Sequence, residues 1–188
     1  EATGGDGGFC HIDQNQERYQ FTAYVYNNFH VSTDTGNSFV SVTNGNTGRF
    51  INPTDYDDVN NRMYCARASN EYLLWSNPQA GNTFTTKTST TIGGQVSAIK
   101  VSPNTNNRIF LGTGSGTLTK VDNANATPIV TNITGSTAIP TSYISCVEVE
   151  NGNDNHILIT YSNYGVNSIW ETKNGGSSWT SVEGNLPD

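Results

Sequence analysis

The carboxylates whose spacing could support chemistry lie in two segments of this chain, residues 4–8 and 53–61. The second segment contains Asp55, Asp57 and Asp58, and Ca²⁺ prefers several carboxylate and carbonyl oxygens as ligands. However, the segment lacks the spacing of an EF-hand loop, and it falls where a polar turn is expected. A solvated turn is therefore favoured over a metal site.

Asp6 lies within a run of glycines, and glycine allows the backbone to come close to a ligand. Cleavage of a glycosidic bond needs two carboxylates roughly 5–10 Å apart, and no second carboxylate can be paired with Asp6 from the sequence. Clusters of Gly and Asp are also typical of ordinary turns, which is the interpretation that we favour. Asp6 is thus a candidate ligand-binding residue, and no catalytic residue is predicted.

Histidines and cysteines predict neither a metal centre nor a cofactor. The three histidines are dispersed along the chain, whereas zinc sites group their ligands at short spacings. The three cysteines form no CxxC pair, and their odd number leaves at least one of them unpaired within the chain. Each cysteine lies in an apolar run, so a buried free thiol is the default expectation.

The elements that must position these residues are short strands that recur in a fixed order. Each run is rich in β-branched or aromatic residues and is bounded by Gly, Asn, Asp and Ser, as strands are. Four such runs make one unit, and the unit recurs at roughly 40–50 residues, which is typical of propeller blades. The sequence therefore predicts an all-β fold, a β-propeller segment of about four four-stranded antiparallel blades in one domain, residues 1–188. The predicted blades are approximately residues 4–43, 44–88, 89–134 and 135–183.

A turn motif precedes the fourth run of each unit. Its template is a hydroxyl residue, any residue, Asp or Asn, any residue, Gly, two residues and an aromatic. Residues 32–39 and 172–179 fit this template, and residues 76–84 fit it with one residue inserted. The third copy has decayed, because residues 120–127 keep Asp122 but lack the glycine and the aromatic residue. The residues assigned to the motif are Ser32, Asp34, Gly36, Phe39, Ser76, Gly81, Phe84, Asp122, Thr172, Asn174, Gly176 and Trp179.

Turn chemistry accounts for each residue type in this motif. A short acidic or amide side chain, such as that of Asp34 or Asn174, can accept hydrogen bonds from the backbone N–H groups of its own turn. Gly36 and Gly176 would supply a positive φ. The aromatic residues are predicted to pack inward between adjacent blades. We therefore interpret the motif as structural and not as a binding site.

The motif, in register with the strands around it, resembles the Asp-box (bacterial neuraminidase repeat) propellers. That superfamily holds sialidases, xyloglucanase-type glycosidases and sortilin-type receptors. Residues 4–8 and 183–188 are similar to the sortilin-like repeats of large secreted bacterial surface proteins. The resemblance implies that the motif lies in the hairpin between the third and fourth strands, at the outer edge of the propeller. It also implies an extracellular or cell-surface location.

A sialidase would require three arginines that converge on the carboxylate of the substrate. Arg18, Arg62 and Arg108 occupy the same position of the repeat, at the start of the second strand. We therefore expect one of them in each of three blades, solvated and not convergent. The chain also lacks an Arg-Ile-Pro segment of the sialidase type, so a sialidase active site is not predicted.

Trp75 is the second candidate ligand-binding residue. In the aligned third strands it matches Val31, Thr119 and Glu171, a position that includes polar residues. An exposed aromatic side chain there could stack on a sugar ring or anchor a protein partner. The favoured alternative is that the inserted residue in segment 76–84 shifts the register and turns Trp75 inward.

Composition excludes two classes of function. The net charge is −7, and nine Lys and Arg residues scattered over the chain form no basic stripe for nucleic acid. No apolar run approaches the roughly 18 residues that a membrane-spanning helix needs. Partners are instead expected to be the remaining blades of a parent chain or a second copy, because Asp-box propellers usually have six or more blades. An isolated four-blade arc is expected to expose unpaired surfaces and to aggregate.

The sequence favours a non-catalytic scaffold or recognition module that binds a protein or a glycan. The reason is an intact blade pattern without a convergent catalytic set. The alternative is a glycoside hydrolase, sialidase-like or xyloglucanase-like, whose active site is shared with blades outside this chain. Carboxylates that converge near Asp6 would favour this alternative.

Overall fold

The computed structural model describes residues 2, 4–136 and 139–186, and it consists of four antiparallel sheets of four strands each. Within each sheet the strands follow one another in sequence order. This confirms the predicted all-β architecture, and the sheets are called blades 1 to 4 below. Blade 1 contains β1 (Cys10–Ile12), β2 (Gln20–Ala23), β3 (Asn28–Ser32) and β4 (Val40–Thr43). Blade 2 contains β5 (Thr54–Asp57), β6 (Arg62–Ala66), β7 (Glu71–Ser76) and β8 (Thr83–Thr88). Blade 3 contains β9 (Val96–Val101), β10 (Ile109–Thr113), β11 (Leu118–Asp122) and β12 (Ile129–Asn132). Blade 4 contains β13 (Ile144–Glu150), β14 (Asn153–Tyr161), β15 (Ile169–Thr172) and β16 (Thr180–Ser181).

The polar turn expected over residues 53–61 is in part a strand, because β5 covers Thr54–Asp57. Pro53 has no N–H to donate to a strand ladder, and its carbonyl instead accepts from the backbone N–H of Ala66. The buried Asn52 side chain donates to Ala66 O at 3.0 Å. Residues 49–53 are therefore a connecting loop, and the one-turn 3₁₀ helix Thr90–Ile92 has a similar place before β9.

The core consists of three apolar layers, each between two neighbouring blades. Successive side chains of a strand point to opposite faces of the sheet, so an inner blade contributes one apolar face to each of two layers. Phe21 and Trp75 meet between blades 1 and 2. Tyr72 and Leu111 belong to the layer between blades 2 and 3, and Phe110 belongs to the layer between blades 3 and 4. Blades 2 and 3 are thus covered on both faces.

The first strands of the blades run in the same direction. His11 Nε2 lies 2.8 Å from Thr54 Oγ1, and the Tyr56 hydroxyl donates to Asp13 Oδ2 at 2.8 Å. His11 in β1 thus lies beside Thr54, and Asp13, directly after β1, lies beside Tyr56, two residues later in β5. Because the strands in each blade alternate in direction, the loops after the first and third strands share one end of the blades. We call this the motif end, since it holds the turn motifs.

Among the residues that the structure describes, no helix combines the length and the apolar character needed to cross a bilayer.

Cys65 is buried, whereas Cys10 and Cys146 are exposed and all three thiols are free. The expectation of a buried free thiol thus holds for Cys65 and is wrong for the other two cysteines.

Candidate functional site

The turn of residues 32–39 is closed by its own side chains. Ser32 Oγ accepts a hydrogen bond from the Gly36 N–H at 2.8 Å. Asp34 accepts from the Ser38 N–H at 2.9 Å and from the Ser38 hydroxyl at 2.6 Å. Gly36 has a φ of +81°, which glycine adopts without strain. The side-chain oxygens of Ser32, Asp34 and Ser38 thus all form hydrogen bonds within the turn.

The turn of residues 172–179 repeats these contacts in blade 4. Thr172 Oγ1 accepts from the Gly176 N–H at 3.0 Å, and Asn174 Oδ1 accepts from the Ser178 N–H at 3.0 Å. Gly176 has a φ of +88°. The side-chain amide of Asn174 accepts the backbone hydrogen bond that the Asp34 carboxylate accepts in blade 1. The two turns therefore differ in charge but not in geometry.

Asp34 offers a direct test of this turn chemistry. The side-chain and backbone hydrogen bonds from Ser38, followed by that from Ser32, lower the pKa of Asp34 to about 2. A depressed pKa means that the carboxylate stabilises the fold above its unfolded-state pKa, and that this contribution is lost as the pH falls through about 2. We expect an NMR titration of the Asp34 carboxyl to give that midpoint, and Ser38→Ala to raise it.

The neutral Asn174 turn is the internal control for this titration. Its amides, Gly176 N–H and Ser178 N–H, should keep their chemical shifts and exchange protection while those of Gly36 and Ser38 change. A midpoint near the ordinary Asp value of about 3.9 would show that the Ser38 bonds do not form in solution.

The second and third copies of the motif depart from the template. In residues 76–84 the positive φ falls on Asn77, at +52°, and not on Gly81. Gly81 O instead accepts from Trp75 Nε1 at 2.8 Å. Asp122, the residue kept by the decayed third copy, accepts from Arg108 Nε at 2.7 Å. Among the described contacts it has no bond to a backbone N–H of its own turn, so the capping pattern of Asp34 is not repeated there.

The motif aromatics are buried to different degrees. Trp179 is 4% exposed and donates from Nε1 to Ile133 O at 3.1 Å, between blades 3 and 4. Phe84 is half-buried with its ring 5.1 Å from that of Trp75. Phe39 is only half-buried, because no blade is described on the side of blade 1 toward which Trp179 packs in blade 4. The expectation of inward packing between blades therefore stays a prediction for Phe39.

Trp75 is fully buried, at 0% exposure. Its ring lies 5.1 Å from that of Phe29 and 6.1 Å from that of Phe21. The neighbouring Leu74 faces blade 3, as Val31 of blade 1 faces blade 2. In the pairing of the second and third strands, Trp75 of blade 2 therefore corresponds to Ser32 of blade 1. The sequence alignment matched it with Val31, one residue earlier. A ligand cannot reach this ring, so the stacking role is wrong and the favoured alternative, a Trp75 turned inward, is confirmed.

Asp6 is exposed in the loop that precedes β1. This loop lies at the end of the blades opposite the motif end. Gly5 has a φ of +82° and packs against the ring of Tyr24, as in a tight turn. Asp6 therefore does not share a site with the carboxylates that follow β5.

A cleft of about 500 Å³ opens at the motif end, where the loops after the first strands of all four blades approach one another. Asp55 and Asp58 line one side, and Lys100 and Asn104 line the other, with Gln14 from blade 1 at the rim. Carboxylates and amides dominate this surface. It is the candidate functional site, because it brings polar groups from every blade to one concave surface.

Asp55 is the most perturbed carboxyl group in the cleft wall. Burial raises its pKa, and the hydrogen bond from the Val101 N–H and the charge of Lys100 offset this rise only in part. The N–H of Val101 lies 2.6 Å from Asp55 Oδ2 and belongs to the next blade. Lys100 in turn pairs with Glu148 of blade 4 at 2.8 Å. A series of polar contacts thus joins the first strands of blades 2, 3 and 4.

The other two carboxylates of segment 53–61 do not form a metal site. Both oxygens of the buried Asp57 are taken by the Asn60 side chain, at 3.1 and 2.9 Å, within the same turn. Asp58 is half-exposed in the cleft wall. In the part of the chain that the structure describes, no group of three His, Cys, Asp or Glu side chains is placed to hold a metal ion. The segment consists of strand β5 followed by a turn, and Thr54 and Asp57 are buried where a solvated turn was expected.

The three repeat arginines do not converge, yet two of them are not simply solvated. Arg108 pairs with Asp122 at 2.7 Å and with Asp154 of the next blade at 2.8 Å. Arg62 donates to Asn107 of blade 3. Only Arg18 is exposed, with its guanidinium 4.6 Å above the ring of Tyr19. Sequence reasoning missed the bridging role because Asn107 and Asp154, the acceptors across the two junctions, lie in other blades than their arginines.

Solved structures with this fold belong to larger proteins. The GH74 enzyme of Niastella koreensis aligns with a TM-score of 0.69 at 20% identity, over 100% of this chain and 31% of that chain. The GH74 xyloglucanase of Xanthomonas campestris aligns with a TM-score of 0.72 at 13% identity, over 99% of this chain and 32% of that chain. YCF48 from Cyanidioschyzon merolae aligns with a TM-score of 0.63 at 18% identity, over 86% of this chain and 52% of that chain. No protein-family model and no curated protein matches the sequence.

These similarities define the fold class and no more. The chain is a β-propeller segment, and it spans about a third of the length of the two GH74 proteins. At such low identity the neighbours carry no residue assignments to this chain. The function must therefore be argued from its own site.

Proposed function

We propose that this chain is an Asp-box propeller segment that acts as a non-catalytic scaffold or recognition module. The observation that carries the proposal is the use of the carboxylates at the motif end. Asp13 accepts from Tyr56 and Gln79 of blade 2, Asp55 accepts from Val101 of blade 3, and Asp154 accepts from Arg108. Each carboxylate joins two blades.

Carboxylates that are already hydrogen-bonded between two blades favour a rigid frame over a catalytic centre. A general acid or base must exchange a proton with substrate, whereas these carboxylates are held by protein donors from a neighbouring blade. The cleft at the motif end then supplies amide and carboxylate groups for a polar ligand, either a glycan or a protein surface. Further propeller blades are the partners that extend the frame. We also propose that the protein works at a bacterial cell surface or outside the cell.

The second candidate is that the chain forms part of a glycoside hydrolase whose active site it shares with other blades, and one observation favours it. Burial raises the pKa of Asp55, and a general acid in such enzymes is a carboxyl group whose pKa is raised. The fold neighbours include a xyloglucanase. A partner carboxylate for Asp55 would have to stand across the cleft or on another blade.

Binding and turnover measured on the same sample separate the two candidates. The full-length protein that carries this chain is titrated calorimetrically with xyloglucan oligosaccharides and sialylated oligosaccharides, and the release of reducing ends is followed in parallel. The full length is needed because the hydrolase candidate shares its active site with blades outside this chain. A scaffold or recognition module gives no release, with or without binding. Release that is lost in Asp55→Asn but kept in Asp58→Asn, its neighbour in the same wall, would establish the hydrolase instead.

A further inference from the structure

The fourth strand of each blade lies at one edge of its sheet. Such an edge presents unpaired N–H and C=O groups, and natural proteins protect it with charged residues, with proline or by keeping the strand short. Three of the four edges have one of these features, since β8 contains Lys87, β12 follows Pro128 and β16 has only two residues. The edge of β4 is the exception, because residues 35–48 include no charged residue and no proline.

The backbone groups of Ser41 and Thr43 point to this open edge. Strand β4 pairs with β3 in an unbroken register, and just beyond the two strands the Asn44 N–H donates to Asn27 O at 2.9 Å. Hydrogen-bonded and non-bonded pairs alternate along an antiparallel ladder, so Val42, two residues before Asn44, also bonds to β3. Ser41 and Thr43 therefore direct their N–H and C=O groups away from β3. In the described part of the chain, no loop or side chain bonds to these four groups.

A groove of about 320 Å³ lies beside this edge, between blades 1 and 2. Val31, Val40 and Val42 line one side of it, and Pro78 and Gly81 of the turn between β7 and β8 line the other. The side chain of Val42 packs against the apolar layer between the two blades, whereas Val40 is 68% exposed. An exposed apolar side chain thus stands next to the open backbone edge.

The far wall of the groove is fixed by contacts within blade 2. Gly81 O accepts from Trp75 Nε1 at 2.8 Å, and the Gln79 side chain donates to the Tyr56 hydroxyl at 3.2 Å. Binding to a surface that is ordered in advance loses less conformational entropy than binding to a mobile one. The groove is therefore formed before an occupant arrives.

An open edge beside a side-chain groove is the arrangement that binds an extended peptide. The peptide adds a strand to the sheet through main-chain hydrogen bonds, and the groove selects alternate side chains. A volume of about 320 Å³ suits the side chains of a single strand and not the edge of a second folded blade. The net charge of −7 on each chain also opposes the pairing of two copies.

The charge at the start of the groove defines the occupant further. Asp34 follows the groove residue Thr33, and it is ionised at neutral pH because hydrogen bonds from Ser38 lower its pKa to about 2. In contrast, the groove itself is lined by no charged side chain among the described residues. An occupant that complements this surface is uncharged along the groove and basic at one end.

We propose that β4 binds an extended segment of a second protein, which becomes a further strand of blade 1. The segment has apolar side chains at alternate positions for the groove and a basic residue at the end near Asp34. Among the described residues, none lines both this groove and the cleft at the motif end. The inference therefore goes beyond the proposed function and holds whether or not the cleft binds a glycan.

Selection of short random peptides on the full-length protein that carries this chain tests the proposal. Ser41→Pro removes an N–H that the added strand needs, and proline is tolerated on an edge strand where the N–H faces solvent. Thr86→Pro makes the same change at an outward position of β8 and is the matched control, since the Ser89 N–H donates to Asn70 O and fixes the same alternation. The enriched peptides should alternate apolar and polar residues. Fluorescence anisotropy should show binding at least about tenfold weaker to Ser41→Pro and unchanged to Thr86→Pro.

Two further measurements distinguish strand addition from any other contact. Backbone N-methylation of a selected peptide should abolish binding when it is placed on one alternate set of residues and spare it on the other, because every second residue of an added strand bonds to β4. Val40→Lys places a charge beside the groove and should also weaken binding at least about tenfold. Ile129→Lys is its control, since Ile129 is an exposed apolar residue at the start of β12.

Circular dichroism melts show which variants keep the fold, and if Ser41→Pro does not, the N-methylated peptides and Val40→Lys decide the question. The proposal is overturned if no peptide is enriched, if the enriched peptides bind Ser41→Pro as tightly as the parent, or if both N-methylated sets bind. Amides of Ser41 and Thr43 that resist hydrogen exchange without peptide would mean that the same polypeptide covers the edge, and a dimer lost in Ser41→Pro would mean that a second copy does. Either result overturns the partner segment and leaves the proposed function to its own oligosaccharide titration.

Discussion

Replacing Trp75 with alanine will lower the free energy of unfolding by about 3–5 kcal/mol, the usual cost of truncating a buried Trp. The side chain is fully buried and contacts the rings of Phe21, Phe29 and Phe84. Its Nε1 also donates to Gly81 O, so the variant leaves a cavity together with an unpaired carbonyl. Urea denaturation followed by circular dichroism measures the loss.

Two comparison variants make this result specific. Trp75→Phe keeps an aromatic ring in the layer between blades 1 and 2 and should cost clearly less than the alanine variant. Tyr164→Ala removes a ring that is 92% exposed and should change stability by no more than about 0.5 kcal/mol. If Trp75→Ala kept its stability but lost binding to a saccharide, the buried position would be wrong.

Trp75 also shows why faces are harder to predict than strands. The run 73–75 was predicted as a strand, and β7 contains it. A slip of one residue moves a side chain to the opposite face of a sheet, and one inserted residue in the following turn was enough to cause it. The path of a turn depends on the φ values of its residues and on contacts such as that of Trp75 Nε1 with Gly81 O. An alignment of motifs contains neither.

The turn motifs of blades 1 and 4 illustrate what the sequence does predict well. Their hydrogen bonds connect residues no more than a turn apart, such as Asp34 with Ser38 and Asn174 with Ser178. Local chemistry of this kind depends only on residue type and order. The same is true of the strands, whose β-branched and aromatic runs follow from local preference and burial. The partner of Asp122, Arg108, lies outside its turn, so the motif could not predict this contact.

The cleft could not be predicted, because its contacts join distant parts of the sequence. Asp55 was interpreted as part of a solvated turn, but it meets Val101 across a blade junction. The burial that raises the pKa of Asp55 comes from that neighbouring blade. A repeat pattern reveals that blades stack, yet it does not reveal which side chains cross from one blade to the next.

Arg108 forms one of these contacts between blades, to Asp154 of blade 4. Replacing it with methionine should lower the free energy of unfolding by about 1–3 kcal/mol, which is the cost of leaving hydrogen-bonded charged groups unpaired. Asp122 and Asp154 would both lose their guanidinium partner. The measurement is urea denaturation at neutral pH, with Lys173→Met as control, because the Lys173 side chain is 71% exposed.

The pH dependence separates a lost ion pair from lost packing in the Arg108 variant. Burial alone would raise the pKa of Asp154, but hydrogen bonds from Ser102, Thr105, Asn104 and Arg108 outweigh it and lower the pKa. A lowered folded-state pKa contributes stability above the unfolded value of about 3.9, and this stability is lost as the pH falls through the folded value. The cost of Arg108→Met should therefore shrink below pH 4. A cost that stays constant from neutral pH to that range would mean that the arginine stabilises the junction through its aliphatic stem alone.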